Sequence, residues 1–336
     1  MGVTPQMVPL LQVRGLCKYF PVFQRGFFAR QIATVKAADD INFDLMPGET
    51  LGLVGESGCG KTTTARTVLR ALTPTSGQIL FQKNGSTVDL AALSDRELKP
   101  LRTQMQMIFQ DPFSSLNPRM TVGDIVGEPL TVHRMAYGSD REDRVADMLT
   151  KVGLRVEHMH RYPHAFSGGQ RQRIGIARAL IMKPSMVVAD EAVSALDVSV
   201  QAQVINLLED LQDQLNLTYI FVAHDLSVVR HICDRIAVMY AGRIVEVAET
   251  EEIFENAKHP YTQGLISAVP HPDPDIPMAF EMGGEVADPA NLPCGCSFNP
   301  RCPYSRERCL DEVPRLRTIE GTRTVGCHYA EELTLD

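Results

Sequence analysis

The sequence lacks several features that would assign it to large classes of protein. None of its apolar runs reaches the roughly 18 residues that a membrane-spanning helix needs, so we expect no transmembrane segment. Basic charge is not in excess, because 33 Lys and Arg against 41 Asp and Glu give a net charge of −8, which argues against general nucleic-acid binding. Residues 1–10 have no basic residue ahead of an apolar run, so we expect no secretory signal. We therefore predict a globular protein of the cytoplasm.

A glycine-rich loop is the strongest signal in the chain. It follows the apolar run Leu51–Val54, which predicts a buried strand, and precedes Thr63–Leu72, which can be helical. Gly-x-x-x-x-Gly-Lys-Thr between a strand and a helix predicts a phosphate-binding loop, in which backbone N–H groups and a helix start surround the phosphates. Lys61 would reach the β- and γ-phosphates, and the Thr62 hydroxyl would bind Mg²⁺. The nucleotide-binding residues that we predict here are Gly55, Glu56, Ser57, Gly58, Cys59, Gly60, Lys61, Thr62 and Thr63.

Three other apolar runs end in polar side chains that suit hydrolysis of a nucleotide. In a parallel sheet the carboxyl ends of the strands face the ligand crevice. We predict that Asp190 holds Mg²⁺ and that Glu191 acts as the general base on the attacking water. Gln110 would contact Mg²⁺ and the water, and His224 would contact the γ-phosphate. The alternatives are an acidic pair that caps the next helix and a purely structural histidine.

The stretch Ser167-Gly168-Gly169-Gln170 has the form of a capping box and predicts a helix that continues through residues 171–180. Its two glycines leave N–H groups at the helix start open to an anion. An ordinary capped helix, which is the alternative, does not need two glycines. One nucleotide needs only one phosphate cradle, so a second cradle suggests a nucleotide shared between two chains.

In this order along the chain, these motifs resemble the ATP-binding subunits of ABC transporters. The resemblance implies that Asp197, in Ser194-Ala195-Leu196-Asp197, lies at a dimer interface and couples the two ATP sites. It also implies that the adenine stacks on Phe20, with Tyr19 as the second choice. Phe166 replaces the usual leucine and Ala192 replaces the usual proline after the general base, but neither change removes a catalytic group.

Further runs are similar to the oligopeptide/dipeptide importer branch, namely residues 109–118, 195–203 and 259–262. Residues 119–121 and 128–130 favour the second of the two ATPase subunits of that branch. The resemblance implies that ATP hydrolysis powers uptake of peptides or a related small solute, with ATP sandwiched in a head-to-tail dimer. It implies a heterodimer with a related ATPase, two transmembrane permease subunits and an extracytoplasmic binding protein, on the cytoplasmic face of the inner membrane and without nucleic acid. A nickel or glutathione importer, a soluble ABC ATPase and a redox or iron sensor are the alternatives.

The fold class that we predict is α/β, a P-loop NTPase. The resemblance implies a RecA-like, mainly parallel sheet plus an antiparallel β subdomain, an inserted α-helical subdomain and a small Cys-rich C-terminal extension. We place the ATPase domain at residues 8–258, with its core at 8–110 and 181–258 and its helical subdomain at 111–180. The extension is placed at 259–336. Prolines at 260, 270, 272, 274 and 277 predict a linker-like start to this extension.

Four cysteines in the extension predict a metal site. In a reducing compartment a cluster of cysteines more often binds metal than forms disulfides. Cys296, Cys302, Cys309 and Cys327 supply four thiolates, with Cys294 as a spare. Four thiolates fit a [4Fe–4S] cluster or tetrahedral zinc, and reduced, unliganded thiols are the third reading. The run 295–303 resembles the extension of this importer branch, in which a [4Fe–4S] cluster can sit.

Overall fold

The computed structural model describes residues 8–24, 30–83, 85–268, 283–284 and 287–335. They divide into two compact units. The first unit takes its residues from Met1–Leu45, Leu51–Ala92 and Ala223–Asp336, and the second consists of Met46–Thr50 and Leu93–Val222. The predicted prolines at 270–277 lie outside the described residues.

The first unit contains an antiparallel sheet in the order β2-β1-β4-β5. Its strands are β1 (Leu11–Phe23), β2 (Gln31–Leu45), β4 (Ser76–Lys83) and β5 (Ser86–Asp89). Leu11, Val13 and Leu16 of β1 are fully buried, and polar residues between them are more exposed. This alternation is what a sheet with one covered face requires.

A second group of strands in the same unit positions the glycine-rich loop. The strands are β3 (Thr50–Val54), β9 (Arg235–Tyr240), β10 (Arg243–Glu249), β11 (Arg317–Glu320) and β12 (Arg323–Val325). They lie in the order β11-β12-β10-β9-β3. β3 runs parallel to β9, whereas β9, β10, β12 and β11 pair antiparallel. Because β3 is buried along its whole length, it reads in the sequence as one apolar run.

The helices of the first unit are short and follow these strands. They are α1 (Lys61–Val68), α7 (Leu226–Ile232), α8 (Thr250–Glu255), α9 (Pro260–Ser267) and α10 (Glu307–Asp311). Leu90–Ala92 and Asn299–Arg301 are 3-10 turns. α9 corrects the prediction of a linker-like stretch at Pro260. Proline is well suited to the first helical position, where its missing N–H costs nothing, and His259 caps this helix by accepting the Tyr261 N–H.

The second unit combines three parallel strands with helices. The strands lie in the order β8-β7-β6, with β6 at Met105–Ile108, β7 at Met186–Asp190 and β8 at Thr218–Val222. β6 pairs with β7 and β7 with β8, each pair in parallel register. β7 and β8 are buried throughout, as the sequence predicted for parallel strands.

Helices dominate residues 111–180 of this unit. The helices of the second unit are α2 (Asp95–Leu98), α3 (Val122–Val132), α4 (Gly138–Lys151), α5 (Gly168–Leu180) and α6 (Val198–Leu215). Val156–His160 and Pro163–Ala165 are 3-10 turns. Arg141 of α4 donates hydrogen bonds to the Gly123 and Gly127 carbonyls of α3, so α3 and α4 are joined by polar as well as apolar contacts.

Candidate nucleotide-binding site

The phosphate loop, residues 55–62, turns tightly between β3 and α1. Gly55, Gly58 and Gly60 all have positive φ. A Cβ added to Gly55 would lie 2.2 Å from the Met239 carbonyl oxygen, and one added to Gly60 would lie 1.9 Å from that of Ala37. Side chains are therefore excluded at these two positions by backbone contact, which explains the spacing of the glycines.

Lys61 lies inside this loop rather than in solvent. Its ammonium group donates hydrogen bonds to the carbonyl oxygens of Gly55, at 2.6 Å, and Glu56, at 3.0 Å. The thiol of Cys59 lies 3.8 Å from the same nitrogen, and burial raises the pKa of that thiol. Ser57 and Gly58 are exposed at the outer edge of the loop, while Thr62 and Thr63 are half-buried in the first turn of α1. This arrangement of N–H groups, helix start and buried ammonium suits a polyphosphate.

Two residues from far along the chain hold Glu56 of this loop. The Tyr261 hydroxyl accepts a hydrogen bond from the Glu56 N–H at 2.9 Å. The Arg301 guanidinium donates two hydrogen bonds to the Glu56 carboxylate, at 2.8 and 3.0 Å. Local sequence patterns assign neither residue a role at the loop, although both stand in runs (259–262 and 295–303) that resemble the importer branch.

Of the two aromatic residues considered for the adenine, Phe20 is the one with a partly open ring. Its side chain is 37% exposed, and the Lys18 ammonium lies 4.8 Å from the ring centroid. The Tyr19 hydroxyl instead donates to the Asp39 carboxylate, and Asp39 also accepts two hydrogen bonds from Arg243. Burial and the bond to Asp39 raise the pKa of Tyr19. Phe20 is thus the better platform for a base.

In the second unit the structure brings together two predicted catalytic side chains. The Gln110 amide donates a hydrogen bond of 2.6 Å to the Glu191 carboxylate. Asp190, at the end of β7, is 1% exposed. Glu191 follows it with φ of +48°, and its N–H donates to the Val222 carbonyl at 2.9 Å. An amide on a strand-end carboxylate is an arrangement that can orient a water.

The predicted capping box at Ser167 is present. The Ser167 side chain accepts from the Gln170 N–H, and the Gln170 side chain accepts from the Ser167 N–H. α5 begins at Gly168, three residues before the stretch 171–180. A Cβ added to Gly169 would lie 2.4 Å from a methyl carbon of Val200 in α6. Packing against α6 therefore accounts for this glycine, a reason that the sequence did not reveal.

The remaining predicted residues lie at the surface of their own units. Asp197 is exposed at the start of α6, and the Val198 side chain next to it is 84% exposed. His224 is exposed just before α7. The neighbouring Asp225 caps that helix by accepting the Ser227 N–H at 2.9 Å.

Two family models match the chain. The model described as ABC transporter matches residues 38–194. The model described as oligopeptide/dipeptide transporter, C-terminal region, matches residues 245–309. The oligopeptide transport ATP-binding protein AppF of Bacillus subtilis is 49% identical over 95% of this chain and 97% of its own length. The dipeptide transport ATP-binding protein DppF of Haemophilus influenzae is 47% identical, over 96% of this chain and 97% of its own length.

The chain belongs to the ABC transporter ATP-binding subunits of the oligopeptide/dipeptide branch. Solved structures agree with the ABC ATPase fold. The dimeric ATP-binding cassette MJ0796 in a post-hydrolysis state, bound to ADP and Pi, gives a TM-score of 0.61 at 26% identity, covering 71% of this chain and 98% of that chain. The cbiO1 subunit of Clostridium perfringens gives 0.61 at 28%, covering 74% and 91%. The predicted P-loop ATPase fold, with both parallel and antiparallel strands, is confirmed.

The cysteines of this ATP-binding subunit are free thiols. Cys296, Cys302, Cys309 and Cys327 lie near enough to one another to interact electrostatically, and burial together with the neighbouring thiols raises the pKa of Cys296 to about 11 and that of Cys302 to about 12. Across the described ranges, however, no group of three or more His, Cys, Asp or Glu side chains is arranged to hold a metal ion. The [4Fe–4S] cluster and the zinc alternative are therefore not confirmed.

In the part of the chain that the structure describes, no helix is both long and apolar enough to cross a bilayer.

Proposed function

We propose that this ABC subunit hydrolyses ATP to power uptake of di- or oligopeptides, or of a related small solute, through a membrane importer. The observation that carries the proposal is the hydrogen bond of 2.6 Å between Gln110 and Glu191, because it places an amide on a carboxylate suited to activate water. The phosphate loop and the relatives, named as oligopeptide and dipeptide transport ATP-binding proteins, support it.

In the first unit, the phosphate loop would bind the triphosphate. Its N–H groups and the start of α1 face phosphate oxygens, and the Lys61 ammonium, now on the Gly55 and Glu56 carbonyls, exchanges these acceptors for the β- and γ-phosphates. Phe20 stacks on the adenine. Thr62, Asp190 and Gln110 would hold Mg²⁺, which neutralises charge on the phosphates.

Glu191 would take a proton from the attacking water while Gln110 orients that water. The γ-phosphate then passes to the water oxygen, ADP leaves, and the proton goes to Glu191. His224 contacts the γ-phosphate and steadies it. The exposed position of His224 is consistent with contact to a ligand.

The start of α5 would complete the ATP site of a second chain. Residues Ser167, Gly168, Gly169 and Gln170 present N–H groups to the γ-phosphate held by that chain, and Asp197 couples the two sites across the interface. We propose that the second chain is a related ATPase, so that the pair is a heterodimer. Its partners are two permease subunits and an extracytoplasmic solute-binding protein, and the location is the cytoplasmic face of the inner membrane. In this proposal the ATPase domain is residues 8–258, with the helical subdomain at 111–180, and the extension is 259–336.

The test is to purify the intact chain together with the membrane proteins that bind it and to measure ATP hydrolysis in proteoliposomes. We expect stimulation by a binding protein loaded with di- or oligopeptides, and weak hydrolysis by the chain alone. Stimulation only by a binding protein loaded with nickel or glutathione would show that the imported solute is one of these and not a peptide. Co-purification with ribosomes, or hydrolysis that needs no membrane partner, would contradict the importer proposal.

We also propose that Cys296, Cys302, Cys309 and Cys327 take up a [4Fe–4S] cluster. The support is that these thiols are free and that the neighbouring thiols help to raise the pKa of Cys296 and of Cys302. Anaerobic purification followed by iron, sulfide and zinc analysis, with visible absorbance, tests this. Iron and sulfide in equal amounts, with absorbance that bleaches on reduction, are the expected result. One zinc per chain, or no metal, would contradict it.

A further inference from the structure

We propose that Arg301, in the C-terminal extension, is a positioning residue for ATP binding that acts through Glu56 of the phosphate loop. The proposal rests on the ATP-binding function proposed above. It assigns part of the ATP affinity to a contact between two segments of the same chain.

The geometry of this contact is specific. The Glu56 carboxylate receives two hydrogen bonds from one guanidinium, at 2.8 and 3.0 Å, which is the paired arrangement that arginine makes and lysine cannot. The Arg301 side chain is 5% exposed and the Glu56 side chain 23%. The ion pair is thus shielded from solvent, unlike most of the surface pairs of this chain, and shielding strengthens it.

Arg301 is itself held by contacts with the extension and with Tyr240 of β9. Its Nε donates to the Gly283 carbonyl at 3.1 Å. Its guanidinium lies 5.8 Å from the Tyr240 ring centroid and 5.9 Å from that of Phe298. Tyr240, Tyr261 and Phe298 pack against one another with centroids 4.7 to 5.5 Å apart. The arginine therefore reaches the loop from a cluster of packed aromatic rings.

The same aromatic cluster anchors the backbone of Glu56. Tyr261, in contact with Phe298, accepts the Glu56 N–H, while the Glu56 carbonyl accepts from Lys61. The backbone and side chain of one loop residue are thus fixed by the extension, and the lysine that would meet the phosphates is fixed by that residue. Loss of the guanidinium would free the Glu56 carboxylate.

A freed carboxylate at the phosphate loop would weaken ATP binding for two reasons. It adds an uncompensated negative charge beside a site for a polyanion. It also removes one of the restraints on the backbone of the phosphate loop, whose N–H groups would bind the phosphates. If the uncompensated charge weakens ATP binding, replacing Glu56 with a neutral residue should restore part of the ATP affinity that is lost with Arg301.

The experiment measures MgATP affinity by equilibrium binding and amide hydrogen exchange of residues 55–62 without nucleotide, on the full chain. Arg301→Met should weaken binding roughly tenfold and speed exchange of the loop. Arg301→Lys, which keeps the charge, should recover part of the affinity. Glu56→Gln combined with Arg301→Met should bind ATP more tightly than Arg301→Met alone.

The matched control is Arg306→Met, which removes the same charge from the same extension. Arg306 pairs with Glu332 at the surface and should leave ATP affinity and loop exchange unchanged. The proposal is overturned if Arg301→Met binds ATP like the unaltered chain, if Arg306→Met has an equal effect, or if the double variant binds no better than the single. If Arg301→Met fails to fold, Arg301→Lys decides by the same two measurements. Absence of ATP binding by the unaltered chain would instead overturn the proposed function, and this inference with it.

Discussion

The phosphate loop in the first unit and the start of α5 in the second are both suited to bind phosphate, yet they are held differently. The loop is fixed from outside itself, by Tyr261 and Arg301 on Glu56, whereas α5 is capped by its own Ser167 and Gln170. A loop built from glycines has little stiffness of its own and needs such restraints. A helix start gains its order from the helix, so it can be offered to another chain.

The largest effect that we expect is a loss of ATP hydrolysis with little change in ATP affinity. Glu191→Gln keeps the hydrogen bond to Gln110 possible but removes the base, so hydrolysis should fall by roughly a hundredfold or more. ATP affinity, set by the loop of the first unit, should change little. Radiolabelled ATP binding and phosphate release measure the two quantities. Glu142→Gln, an exposed change on α4, is the control, and near-normal turnover by Glu191→Gln would refute the assigned role.

The next effect concerns the loop alone. Lys61→Met removes the ammonium that we assign to the β- and γ-phosphates, and loss of hydrogen bonds to a charged group should weaken ATP binding roughly 10- to 100-fold. The fold should survive, because a methionine side chain fills similar space. Lys99→Met, an exposed substitution, serves for comparison. Equal ATP affinity of the two variants would show that Lys61 does not meet the phosphates.

Sequence patterns predicted those features whose chemistry is fixed by short spacing. The glycines of the loop, the strand ends at Gln110 and Glu191, and the capping box at Ser167 all fall in this group. The structure places each in the expected kind of element. A few neighbouring residues determine each of them, so local sequence carries the information.

Contacts between distant segments could not be predicted in that way. Arg301 and Tyr261 contact Glu56 although they lie 245 and 205 positions away from it in the chain. Hydrophobic periodicity carries no information about contacts between residues so far apart. The sequence predicts that Gly169 leaves an opening for an anion, although Val200 also fills the space beside it. Pro260 predicts a linker in the sequence, but it starts a helix in the structure, because proline occurs both in loops and at the first position of helices. In each case the deciding partner belongs to another element.

A pH effect should appear in the region that anchors the loop. Burial lowers the pKa of His259 to about 3, while an unfolded histidine titrates near 6.5. Because the unfolded chain then binds more protons, stability must fall as the pH falls through this interval. The loss between pH 7 and 5 should be about 2 kcal/mol.

His259→Asn tests this, since asparagine can still accept the Tyr261 N–H that the Nδ1 atom accepts but does not titrate. Urea unfolding at pH 7 and 5 should show a smaller pH dependence in the variant. The Glu246 carboxylate accepts the backbone N–H of His259, and burial raises the pKa of this carboxyl. Glu246 therefore makes stability rise as the pH falls, and it does so in both proteins. Comparing the two proteins therefore isolates the histidine, and an unchanged pH dependence would contradict the buried neutral state.

The smallest effect on stability, and the most selective, concerns the α5 start. Ser167→Ala removes the capping box, which should cost about 1 kcal/mol and lower the melting temperature by about 2 °C. The chain offers a close match in Ser94, which forms the same box with Glu97 at α2. Ser94→Ala should cost a similar free energy of unfolding. Only Ser167→Ala should also reduce hydrolysis by the assembled dimer, while ATP affinity of the single chain stays the same. Since both serines belong to capping boxes at helix starts, a loss of hydrolysis confined to Ser167→Ala would assign the difference to a phosphate from the second chain. Equal losses of hydrolysis in the two variants would show that the α5 start is an ordinary helix cap.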